Sequence, residues 1–86
     1  MEELLKEGFS TIAMIRLPTI SDVKDFVSTT RTFSSNINVA KGKYVVDGRS
    51  ILGMLSLDCS KGVFVEIISD DEEEISRFLE LMKKFQ

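Results

Sequence analysis

The sequence predicts an α+β domain in which a four-stranded antiparallel sheet carries two long amphipathic helices on one face. Three observations lead there. Two segments place core-type residues at i, i+3, i+4, i+7 and i+10, first as Val23, Phe26, Val27, Thr30 and Phe33, then as Ile75, Phe78, Leu79, Met82 and Phe85. Four shorter runs are rich in β-branched and apolar residues. The segments follow one another as strand, helix, strand, strand, short segment, strand and helix, with no repeat, low-complexity tract or linker among the 86 residues. Residues 1–86 therefore read as a single domain.

Residues 1–8 are polar, helix-permissive and end at Gly8, the pattern of an N-terminal arm or a short helical turn. Residues 9–16 suit a strand, and Pro18 stops its continuation. Ser21 offers an N-cap, with Asp22 and Asp25 in the first turn of the helix that follows, where the macrodipole favours negative charge. Ser34-Ser35-Asn36 ends that helix. Ile37 and Val39 alternate with polar or small residues as a half-buried strand, Lys41-Gly42-Lys43 turns the chain, and Tyr44-Val45-Val46 begins the return.

Asp47-Gly48 carries two readings. An Asp-Gly pair between apolar runs is a hairpin signal, yet Ser50 followed by Ile51, Leu52, Met54, Leu55 and Leu57 fits a short capped helix as well as a strand. Gly53 weakens both. After a turn at Lys61-Gly62, residues 63–68 form an apolar strand. Ser69 or Asp70 caps the last helix, Ser69-x-x-Glu72 has the spacing of a capping box, and Lys83 and Lys84 fall in the last turn.

The most restrictive count is zero. The chain contains no histidine, no tryptophan and one cysteine, Cys59. Imidazole general bases, imidazole metal ligands and phosphohistidine are thereby excluded. A lone cysteine forms neither an internal disulfide nor a cysteine-rich zinc site, and it fits a reducing cytosol. Eleven basic residues against fourteen acidic ones give a net charge of −3, and the basic residues are not clustered. That balance argues against direct nucleic-acid binding. Apolar runs reach only four residues, Ile12 to Ile15, and the acidic start lacks the form of a signal peptide. The expectation is a soluble cytoplasmic protein that does not engage membranes.

Chemistry-bearing constellations are scarce. Asp70-Asp71-Glu72-Glu73-Glu74 reads as a helix N-terminus, without the alternating ligands of a calcium loop. Cys59 has no histidine partner and reads as structural. The glycines match no phosphate-binding loop, and no serine has a base to activate it. No cofactor, metal site or enzymatic activity is expected. One position stands out. Were a helix to begin after Ser50, its hydroxyl would be the N-cap, and a phosphate there would meet free N–H groups and a favourable dipole. Beside it, Ile51, Leu52 and Leu55 could form an apolar patch, so that Ser50 is either a switch or a plain cap.

Phe33-Ser-Ser-Asn-Ile-Asn-Val, Lys41-Gly-Lys and Val46-Asp-Gly-Arg-Ser50-Ile-Leu-Gly-Met-Leu-Ser-Leu57 resemble the HPr family, the small histidine-containing phosphocarriers of the bacterial sugar phosphotransferase system. By element order the resemblance covers about residues 9–86, and it is specific over about 33–72. It implies an open-faced sandwich of four antiparallel strands with three helices on one face, and it places the short helix after Ser50 rather than a hairpin at Asp47-Gly48. The family's phosphoryl-accepting histidine corresponds to Thr19, its arginine to Ser21 and its proline to Asp22. A phosphocarrier role is not expected of a chain so changed.

A retained serine with a lost histidine is similar to the Crh-like branch of the family, which acts in catabolite repression. The resemblance implies phosphorylation at Ser50 by the HPr kinase/phosphorylase. It also implies docking through Arg49, Ile51, Leu52 and Leu55 to that kinase and to a LacI-type transcription regulator, as a monomer or weak dimer. The acidic arm and the loss of the arginine at Ser21 depart from the pattern. The alternative is a silent interaction domain in which Ser50 only caps a helix.

Overall fold

The computed structural model describes residues 10–86; the arm expected at residues 1–8 lies outside them. Strand β1 spans Ser10–Ile15, helix α1 Ile20–Thr30, strands β2 and β3 Asn36–Lys41 and Tyr44–Asp47, helix α2 Ile51–Leu55, strand β4 Val63–Ile68 and helix α3 Glu72–Met82, with a 3-10 turn at Lys83–Phe85. The strands form one antiparallel sheet in the order β1-β4-β2-β3. All three helices lie on one side. The α+β open-faced sandwich expected from the sequence is the fold observed.

Alternation along the strands separates two faces. Ala13, Ile15, Ile37, Val39, Val63, Val65 and Ile67 are buried and meet Val23, Phe26, Val27, Phe78 and Met82 from the helices. Phe26 packs edge-on against Phe85 at 5.7 Å, and Phe33 against Phe78 at 6.2 Å. The opposite side of the sheet has no covering layer among the described residues, and Ile12, Met14, Phe64 and Ile68 are exposed there.

Both periodic stripes run past the ends of their helices. Regular α1 ends at Thr30, and i→i−3 bonds from Thr32 and Phe33 to the carbonyls of Thr29 and Thr30 tighten the chain so that Phe33 still turns inward. Likewise α3 ends at Met82, and the 3-10 turn delivers Phe85 to the core.

Two local readings are corrected, and one that the residues left open is decided as the resemblance implied. Ser21 does not cap α1; Thr19 does, with the reciprocal partner Asp22 three residues on. Neither Ser69 nor Asp70 caps α3; Asp71 accepts from the N–H groups of Glu73 and Glu74, and the Ser69-x-x-Glu72 box does not form. The hairpin reading of Asp47-Gly48 falls away. The β2–β3 hairpin turns at Gly42-Lys43, where Gly42 takes φ +61° at the first central position. Gly48 instead presses against β2: its N–H bonds to the Ile37 carbonyl at 2.7 Å, and a Cβ there would meet Ile37 Cγ2 at 2.9 Å. A glycine demanded by close approach and one demanded by a hairpin look identical in sequence.

Candidate functional site

The start of α2 is built by the loop before it. The Asp47 carboxylate accepts from the Arg49 N–H at 2.9 Å and its carbonyl from the Ser50 N–H at 3.1 Å, which closes the turn into the helix. Ser50 then sits in extended backbone, φ −109° and ψ 117°, and its Oγ accepts from the Gly53 N–H at 3.1 Å. The Ser50 side chain is half-buried. Thr30 fastens the loop from beneath, its buried hydroxyl donating to the Gly48 carbonyl at 2.7 Å, and Arg31 Nε donates to the Arg49 carbonyl at 3.2 Å.

One turn of helix sorts the neighbouring residues. Leu52 is 78% exposed and Leu55 45%, and at i and i+3 they share a face. Met54 is fully buried, and Ile51 is half-buried and packs against the core. The four residues expected to dock partners are thus not equivalent. Leu52 and Leu55 stand out, Arg49 is half-buried with its backbone engaged, and Ile51 is largely a core residue.

Thr19 lies at the start of α1, next to the same helix. It lines a shallow pocket of about 240 Å³ with Pro18, Ile20, Leu55, Leu57 and Ser60. Its side chain is fully occupied: Oγ accepts from the Asp22 N–H at 3.1 Å and donates to the Asp22 carboxylate at 2.8 Å, while the Thr19 N–H donates to the same carboxylate at 3.1 Å. A phosphoryl group on Thr19 would face that carboxylate, a repulsion in place of a hydrogen bond. Thr19 and Leu55 both line this pocket, and Ser50, at the other end of α2, does not.

A second polar cluster was not anticipated. Glu74 is buried, and its carboxylate accepts from the Ser34 N–H at 3.2 Å, Ser34 Oγ at 3.3 Å, Ser69 Oγ at 2.8 Å and, in a short bond, Ser35 Oγ. The Ser35 hydroxyl, reinforced by Ser69 and the backbone of residues 34 and 35, holds the carboxyl at about 2 against the pull of burial. The signal was in the α3 stripe. Glu74 stands four residues before Phe78, on the buried side of a helix whose other early acids face solvent. Arg77 completes the join, stacking 3.8 Å from the Phe33 ring centroid and donating to Thr32 Oγ1 at 2.9 Å. This cluster ties the end of α1 to the start of α3.

Cys59 is buried, and burial pushes its thiol up, as suits a structural residue. Among the described residues no group of histidine, cysteine or carboxylate side chains is placed to hold a metal ion, and no helix is long and apolar enough to cross a membrane.

The family model for the PTS HPr component phosphorylation site matches residues 23–86. The chain is 33% identical over 78 residues to the phosphocarrier protein HPr of Neisseria meningitidis serogroup A and, equally, to that of serogroup B, covering 88% of this chain and 86% of each relative. Among solved structures it is similar to HPr-C-His from Thermoanaerobacter tengcongensis, with 31% identity, TM-score 0.65 and coverage of 86% of this chain and 90% of that one. The fold also matches a phosphocarrier protein HPr from Bacillus anthracis at TM-score 0.71, with 17% identity over 90% of this chain and 98% of the other. HPr proteins are phosphocarriers and not enzymes. With the same fold, and with the family pattern spanning most of its length, this chain belongs to the HPr family of the phosphotransferase system.

Proposed function

We propose that this HPr-family chain is a cytoplasmic regulatory adapter that does not relay phosphate, and that phosphorylation of Ser50 switches it in carbon catabolite regulation. The observation that carries the reading is the pairing, on one helical turn, of a capping hydroxyl with two exposed leucines. A phosphoryl group on Ser50 would bring about −1.5 to −2 charges to the end of a helix that favours them. Leu52 and Leu55 would supply apolar contact beside that charge, with Arg49 adjacent and Ile51 bracing the turn from within. By resemblance, the HPr kinase/phosphorylase writes the modification and a LacI-type regulator reads it. The chain has no histidine to form the labile phosphoryl donor. Thr19, which corresponds to that position, is engaged with Asp22 instead.

The test is incubation with HPr kinase and ATP, followed by mass measurement and localisation of the modified residue. One phosphoryl increment that Ser50→Ala abolishes is the expected result. No increment, or one that survives Ser50→Ala, sinks the adapter reading. It would leave the second reading, favoured by the bond Ser50 already accepts from Gly53, in which the hydroxyl only caps the helix and the domain is a silent interaction module. Incubation with phosphoenolpyruvate and the first enzyme of the sugar system is expected to give no acid-labile label.

A further inference from the structure

The uncovered side of the sheet is apolar only in part. The register sets Ser10, Ile68 and Asn36 in one outward row, Ile12, Glu66, Asn38 and Asp47 in the next, and Met14, Phe64, Ala40 and Val45 in a third. Ile12, Met14 and Phe64 are each more than half exposed, and Ile68 is 41% exposed. These four lie together on β1 and β4. Strand β2 adds only Asn36, Asn38 and Ala40, which part them from Val45 on β3. The bare patch is thus two strands wide. It offers on the order of 300–400 Å², the size of the largest patch on an ordinary monomer and well under the roughly 800 Å² per partner of a stable pairing.

Residues 1–9 join the sheet at Ser10, the first residue of β1 and one end of this patch. In their sequence Met1, Leu4 and Leu5 stand at i, i+3 and i+4, the spacing of one side of a helical turn, and Gly8 falls where the chain has to reverse to pass back over the sheet. Charge selects the side. Ser10 pairs with Ile68, and beyond Ile68 the exposed acids Asp70, Asp71, Glu72 and Glu73 gather at the start of α3, in the helix layer. A segment with Glu2, Glu3 and Glu7 against the single base Lys6 is repelled there. The sheet side holds one charge, Glu66, among the outward positions of β1, β4 and β2. We infer that residues 1–7 fold back at Gly8 and cover the patch of their own sheet, with Leu4 and Leu5 laid on Ile12, Met14, Phe64 and Ile68.

The dimensions agree. Met14 lies four residues along β1 from Ser10, about 13 Å. From a turn at Gly8, seven residues return about 10 Å as a helix and at most about 24 Å extended. The first length is comparable to the patch and the second exceeds it. Leu5 then falls over Ile68 and Ile12, and Leu4 and Met1 toward Phe64 and Met14. Because the segment is tied to the sheet it covers, it meets the patch at an effective concentration of about millimolar, so contacts too weak to hold a separate peptide suffice.

Oxidation of Met14 by dilute peroxide, followed by mass spectrometry of its peptide, tests this on the full chain. The parent is compared with a full-length Leu4→Ser/Leu5→Ser variant. A patch covered for about three-quarters of the time oxidises about fourfold more slowly, so the variant's Met14 should react about fourfold faster than the parent's. Met54 and Met82, both fully buried, report on the fold and should stay slow in both chains. Equal Met14 rates with Met54 and Met82 slow overturn the inference. So does protection of Met14 that rises with concentration from about 10 μM to 1 mM, which assigns the face to a second copy. If the variant unfolds, Met54 and Met82 react with it, and the parent alone decides. Its nuclear Overhauser spectrum in dilute solution should then show contacts between the Phe64 ring and the methyl groups of Leu4 or Leu5, and their absence overturns the inference.

Discussion

Replacing Glu74 by glutamine preserves the size of the side chain but removes the charge that four hydrogen bonds from three serines converge on. The carboxyl is held at about 2 against an ordinary 4.5. At about 1.4 kcal/mol for each tenfold change in proton affinity, that difference sets a ceiling of about 3 kcal/mol. Glutamine keeps one acceptor, and the cluster opens on solvent at Asp70 and Asp71, so the expected loss is nearer 2 kcal/mol. For a domain of this size, the melting temperature should fall by about 8–16 °C. Because folding lowers this group's pKa, its contribution is complete above the unfolded value of 4.5 and is lost as pH falls toward about 2. Urea unfolding of parent and Glu74→Gln across that window is the decisive assay. The parent's stability should decline as the solution is acidified, and the variant's should change far less. If the two profiles stay parallel from neutral pH to about 2, Glu74 is not the group that titrates, and the account of the cluster is wrong.

Other expectations follow from single contacts. Thr19→Ala removes the α1 capping box and should lower stability by about 1 kcal/mol in thermal unfolding, with Asp22→Ala adding little to the double variant because both break the same bonds. Gly48→Ala forces a methyl to within 2.9 Å of Ile37 Cγ2 and 3.1 Å of the Ile37 carbonyl oxygen; a loss of about 1–3 kcal/mol should appear as a lower urea midpoint. Phe78→Ala empties the centre of the core and should cost about 3–5 kcal/mol, enough to leave much of the chain unfolded at physiological temperature. Cys59 should react with a thiol reagent only slowly in the folded state and readily in urea; rapid labelling of the native protein would contradict its burial.

The layers were legible because each rests on periodicity over many residues. The stripe from Val23 to Phe33 lands in the core, even where the helix has tightened or ended; of the second stripe Phe78, Met82 and Phe85 do so, whereas Ile75 is half-buried, Leu79 is exposed and Leu81 packs against the core in its place. Helix starts were less legible because several adjacent residues have capping side chains. Thr19 and Ser21 are both suitable in type, and only the reciprocal bond with Asp22 selects the first. Ser69 was displaced from its capping role by a longer-range demand, the Glu74 carboxylate, whose other donors lie about forty residues earlier in the chain. At the candidate site, the position of Ser50 at a helix start followed from residue type and resemblance together. Which of Ile51, Leu52 and Leu55 face outward did not follow, because a five-residue helix is too short to show a stripe.

Strand β4 lies between β1 and β2, although it is the last strand to be made. The β2–β3 hairpin is local and can assemble as soon as its turn is synthesised. Strand β1, by contrast, pairs only with β4, from Ser10↔Ile68 to Ile15↔Val63. On the ribosome the first strand must therefore wait, its backbone groups bonded to water, until residues 63–68 have cleared the exit tunnel. That segment then supplies the pairing partner for the strand on each side, β1 and β2. A nascent chain stalled before Val63 has a hairpin and two helices' worth of sequence but no sheet to hold them. For this domain, the sheet is complete only once β4 is in place.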